Sequence, residues 1–106
     1  MEHFIYRIVP TRPAMLVSGP TDEEMAAIAA HFEYLEALAG KGIVLLAGRT
    51  MGTGEKTWGI VVFAAESEAA AREIALSDPS IARGVMHHEL SAYRVAVLSK
   101  NWVGEA

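Results

Sequence analysis

Residues 57–65, TWGIVVFAA, put Trp58, Ile60 and Val62 on one face of a strand and Val61 and Phe63 on the other, so neither face suits water. Such a strand has to lie between two layers. The run 43–50, IVLLAGRT, has the same character, with Val44 and Leu46 opposing Ile43 and Leu45. Yet the chain offers only two stretches of helical period, enough to cover one face of one sheet. Leaving the other face wet costs about 25 cal/mol per Å² of apolar area, so it is expected to meet the same face of a second copy.

The remaining elements follow from their punctuation. Residues 3–9 alternate, with Phe4, Tyr6 and Ile8 on one side and Ile5, Arg7 and Val9 on the other, and stop at Pro10. Residues 10–20, PTRPAMLVSGP, hold three of the four prolines and form a long loop, of the kind that often carries function. Thr21, followed by Asp22, Glu23 and Glu24, is a capping box that opens a helix. Met25, Ile28, Ala29, Phe32, Leu35 and Ala39 trace its apolar stripe until Gly40 and Gly42 end it. The glycines of MGTGEK suit a hairpin between 43–50 and 57–65. Ser67 caps a second helix ending near Asp78 and Pro79, SIARG adds one turn, and 85–98 reads as a long last strand. Strand, helix, strand, strand, helix, strand is the α+β, ferredoxin-like βαββαβ order: a four-stranded antiparallel sheet with both helices on one face.

Composition narrows the class of function. A chain of 106 residues is expected to form a single domain, 1–106, with no room for a separate cofactor domain. It is 52% hydrophobic with a mean hydropathy of +0.24, which excludes a disordered chain. Nine basic against thirteen acidic residues give a net charge of −4, which argues against nucleic acid or anionic lipid as partner. No cysteine is present, so disulfides, thiol catalysis and thiolate metal sites are excluded, and a cytoplasmic location is expected. No run approaches a membrane span.

Among polar residues, His31 lies at the flank of the first helix's stripe, where it can look into a cavity beside the core. It reads either as a half-buried histidine satisfied by a carbonyl or water, or as a general acid or base. Asp78 before Pro79 is a regular N-cap for the turn that follows, and such a tethered carboxylate is also placed to orient an imidazole. Arg49 ends a strand after the small residues Ala47 and Gly48; it is either a solvated charge or a bidentate holder of a substrate anion. Arg12 in the long loop is a weaker candidate of the same kind. His87 and His88, adjacent on a strand, point to opposite faces and do not form a metal pair. Gly52 and Gly54 lack the lysine and helix of a phosphate loop, and Trp58 and Trp102 read as packing or interface residues.

Three stretches, HFEYLEALAGKGIVLLAGRT, GIVVFAAESEAAAREIALSDPSIARGV and SAYRVAVL, together resemble the YciI-like (YCII-related) family over nearly the whole chain. The resemblance implies a dimeric α+β barrel of ferredoxin-like subunits. It places the family's histidine on His31 and its Asp-Pro aspartate on Asp78, as an active-site dyad. It leaves the reaction open, because some similar proteins are dehydrochlorinases of aromatic degradation and most have no established substrate. The expected function is a cofactor-independent isomerase or lyase acting on a small cyclic or aromatic oxygenated metabolite. His31 and Asp78 would carry the chemistry, Arg49 and Arg12 would bind substrate, and no metal would take part. The alternative is a metabolite-binding or stress-related module that turns nothing over.

Overall fold

The computed structural model describes residues 1–52 and 56–101. Its elements are β1 (Glu2–Pro10), α1 (Met15–Ser18), α2 (Asp22–Gly40), β2 (Val44–Arg49), β3 (Gly59–Ala65), α3 (Glu68–Ser77), α4 (Pro79–Ala82) and β4 (Met86–Tyr93). The strands form one antiparallel sheet in the order β2-β3-β1-β4, the ferredoxin-like arrangement expected from the element order.

The alternation in β1 sorts its side chains as its pattern implies. Phe4, Tyr6 and Ile8 are buried under the helices, while Ile5, Arg7 and Val9 face the other way. Register carries this sorting outward: Phe63 and Val61 lie beside Phe4 and Tyr6, and Val62 and Ile60 lie beside Ile5 and Arg7. The core is therefore Phe4, Tyr6, Ile8, Val44, Val61 and Phe63 beneath Leu35, Ala71 and Ala75. Phe63 meets Tyr6 edge-on at 5.6 Å between centroids, a favourable aromatic geometry.

α2 begins with the expected capping box, Thr21 Oγ1 accepting from the Glu24 amide while Glu24 accepts from the Thr21 amide. It closes in a Schellman motif, with Gly42 at φ +76° and the Ile43 and Gly42 amides donating to Leu38 and Ala39. Its inward face differs from the expected stripe. Ala27, His31 and Leu35 are buried, whereas Met25 and Phe32 are 53% and 52% exposed. The apolar stripe is rotated from the buried face because His31 and Tyr34 take inward positions, where His31 Nδ1 bonds to Asp78 and the Tyr34 hydroxyl to the Ile74 carbonyl.

Three further differences have local causes. β2 does not keep a simple alternation, because a one-residue register shift between Val44 and Leu46 sends Val44 inward and Leu46 outward. Ala47 and Arg49 then face inward. β4 ends at Tyr93, not near 98, because Tyr93 pairs with His3 and β1 begins only one residue earlier. The long loop contains α1, whose Met15 is buried. Residues 53–55 of the expected hairpin connection, and Trp102, lie outside the described residues.

Candidate active site

Asp78 sits between α3 and α4, ending one helix and capping the next with Pro79 at its first position. The side chain is fully buried, and four donors from three elements converge on it. The Ser80 amide and hydroxyl each donate to Oδ1 at 2.9 Å. The Tyr6 hydroxyl donates to Oδ2 at 2.7 Å from β1. His31 Nδ1, from α2, lies 2.8 Å from both carboxylate oxygens. Capping and partnership with His31 thus coexist in one residue.

Burial alone pushes the Asp78 carboxyl up; the hydrogen bonds from His31 and Tyr6, the charge of His31 and the Ser80 amide outweigh it and hold the group below its ordinary value. Burial, and after it the Asp78 charge and hydrogen bond, push the Tyr6 hydroxyl far up, so it remains a donor. Tyr34 is raised by burial and by the same charge, and donates to the Ile74 carbonyl at 2.7 Å.

An ionised carboxylate can only accept, so the hydrogen bond requires the proton on Nδ1 of His31. In the neutral ring the lone pair is then on Nε2, which makes no hydrogen bond among the described residues. His31 lines a cavity of about 600 Å³ between α2 and the β2–β3 side of the sheet. Its walls are largely apolar, with Ile28, Phe32, Leu35, Val44 and Val61 among them, and Met15 and Leu16 of α1 close one side. The arrangement offers a single basic nitrogen, fixed in tautomer, to a mostly apolar hollow the size of a small-molecule site.

The structure brings His31 and Asp78 together and sets Arg49 on the wall of the same cavity. Arg49 pairs across the strands with Gly59, where a Cβ would come within 3.0 Å of the Gly48 carbonyl, so glycine permits the close approach of β2 to β3 there. The guanidinium makes one hydrogen bond among the described residues, to the Thr50 carbonyl at 3.4 Å. Arg12 is not brought to the site. Its Nε and Nη2 donate to the two oxygens of Glu24 at 2.9 and 2.6 Å, Nη2 also reaches the Gly19 carbonyl at 3.1 Å, and it does not line the cavity of His31. His88 shares the inward face of β4 and His87 the outward one; no metal-binding group of residues occurs among the described residues.

Two site residues escaped the sequence reading. Ser80 was within reach, since an N-cap carboxylate accepts from the amide two or three residues on. Tyr6 was not, because alternation assigns it to the inward face of β1 without saying that its hydroxyl finds a partner 72 residues away.

Comparison with known proteins adds the family. A search of curated proteins finds no match. Among solved structures, a 5-chloro-2-hydroxyhydroquinone dehydrochlorinase from Burkholderia phenoliruptrix, in complex with 2,5-dihydroxybenzoquinone, is 22% identical, with 86% of this chain and 93% of that one covered and a TM-score of 0.62. SnoaB, a cofactor-independent oxygenase from Streptomyces nogalater, is 13% identical over 95% of this chain and all of its own, with a TM-score of 0.45. The first of these likenesses is one of fold. The model of the YCII-related domain matches residues 3–91, most of the chain, and the protein therefore belongs to the YCII-related domain family.

Proposed function

We propose that the protein is a cofactor-independent acid/base enzyme acting on a small cyclic or aromatic oxygenated metabolite, with His31 as the proton carrier. One observation carries this: a histidine whose Nδ1 is committed to a buried aspartate while its ring lines a largely apolar cavity. In the proposed reaction Nε2 removes a proton from the substrate, whose electron pair shifts into the ring to expel a leaving group or move a double bond. The imidazolium then returns the proton to the product or the leaving group. Elimination and isomerisation are both complete with one such group. Asp78 orients the ring and stabilises the imidazolium, and Arg49 holds an anionic oxygen of the substrate. A homodimer through the outer sheet face, a single domain over 1–106 and a cytoplasmic setting belong to the same reading. The outer-face side chains and the lack of cysteine support the dimer and the setting.

Incubation with a panel of lactones, catechols and chlorinated hydroquinones, followed by chromatography, tests the proposal. Turnover that falls at least a hundredfold in His31→Ala supports it, on the scale that general acid/base catalysis contributes. Binding of 2,5-dihydroxybenzoquinone seen as a raised melting temperature, with no turnover of any panel member, favours a metabolite-binding module instead.

A further inference from the structure

The hydrogen bonds on the far side of Asp78 have a role that the two-residue dyad leaves out. A protonated His–Asp pair can hold its two protons in two ways: both on the imidazole beside a carboxylate, or one on each residue. Only the first leaves an imidazolium whose Nε2 proton is readily returned to a ligand; the second leaves a neutral imidazole, which is a poor acid. Which form prevails depends on how well the carboxylate is solvated by its surroundings.

Around Asp78 that solvation is supplied by Tyr6 and Ser80. Tyr6 is fully buried and does not line the cavity, so its hydroxyl cannot meet a ligand there and serves Oδ2 alone. Ser80 is equally buried and gives Oδ1 two donors, with its hydroxyl also 3.3 Å from His31 Nδ1. Tyr34 is the other titratable group close enough for the Asp78 charge to act on, and its hydroxyl is spent on the Ile74 carbonyl. No buried side-chain polar atom among the described residues lacks a partner, and both carboxylate oxygens accept from protein donors.

We propose that Tyr6 and Ser80 are positioning residues that keep the proton of the charged pair on the His31 ring and off Asp78, making His31 the member of the pair that carries the proton. This deepens the acid/base reading of the same site and rests on it for its catalytic meaning. Asp78 then never takes part in proton transfer; it stays an anion while Nε2 accepts the proton and gives it back.

Nuclear magnetic resonance on the ligand-free protein tests this directly, with the Asp78 carboxyl carbon and both His31 nitrogens followed through a pH titration. In the native chain the carboxyl carbon is expected to keep its ionised shift throughout the interval in which the His31 nitrogens titrate. In Tyr6→Phe and in Ser80→Ala, each losing one donor at nearly constant shape, the carbon moves part-way to its protonated shift in that interval. The double variant moves furthest, and native-like amide spectra report that the variants remain folded. A native carboxyl carbon that titrates in step with His31 overturns the proposal, as do folded variants that leave it unmoved. Because no substrate is used, an inactive panel would defeat the proposed function and leave this result standing, whereas a titrating Asp78 would defeat the role of Tyr6 and Ser80 whether or not a panel member is turned over.

Discussion

At Asp78 one side chain ends α3, caps α4 and anchors His31, and the first two duties are what made it legible. An Asp-Pro pair after a helical run announces a junction, and a junction fixes the carboxylate against the backbone. Its meeting with His31, 47 residues away, depends on tertiary packing, and so does the hydroxyl of Tyr6. Asp78→Asn separates the duties, since asparagine caps as well as aspartate but carries no charge. The variant is expected to fold and to lose proton-transfer activity by about 10⁴-fold, the scale seen when an amide replaces the carboxylate of a catalytic triad. Circular dichroism and turnover of a panel substrate measure the two halves. The same carboxylate gives stability a pH dependence. A group held below its ordinary value binds fewer protons folded than unfolded, so its contribution is whole above the unfolded value and lost as pH falls through the folded one. Asp78 is held below 3.8 and Glu24, by its Arg12 hydrogen bond first, is lowered from 4.5 to about 2. The urea midpoint is therefore expected to fall as pH drops below about 4.5, and to fall less steeply in Asp78→Asn.

Helix ends were more legible than helix faces. The capping box of Thr21 and Glu24 and the glycine stop at Gly42 are local chemistry, and both ends of α2 lie where they place them. The buried face is set by what lies opposite, and here α2 turns His31 and Tyr34 inward while Met25 and Phe32 remain half exposed. Loop 10–20 shows the converse. Its length signalled a role near a site, and it does bring Met15 and Leu16 to the cavity. Arg12, however, does not line the cavity of His31: it ties the start of the loop to the Gly19 carbonyl near its end and to Glu24 in the first turn of α2. Such a tie fixes the segment that closes one side of the cavity. Arg12→Ala is therefore expected to speed hydrogen exchange of the amides at 15–18 several-fold while leaving those of β1 and β3 unchanged. Unaltered exchange in α1 would show that Met15 alone holds the segment.

The whole molecule has one sheet face under helices and one face without cover in the single chain. On the open face, register groups Ile5 and Val9 of β1 with Ile60 of β3 around Val62, which its neighbours already bury, and the shift in β2 adds Leu46, which is 54% exposed. Trp58, 38% exposed, lies under the Arg7 guanidinium at 5.2 Å. The register shift sets Leu46 beside Val62 and Ala47 beside Val61, on opposite faces of the sheet. Arg7 and Glu89 stand opposite one another on the same face, so the patch carries both signs of charge. A two-fold partner needs a self-complementary surface, and an apolar centre bearing its own pair of opposite charges provides one. Burying such a patch against its copy would gain about 25 cal/mol for each Å² of apolar surface removed from water. The chain is therefore expected to sediment as a dimer at micromolar concentration. Lysine at Leu46 and Ile60 together would leave charges at the centre of that interface, and the double variant is expected to sediment as a folded monomer. A native chain that is monomeric under the same conditions would mean that the outer side chains of β1 and β3 tolerate water without a partner.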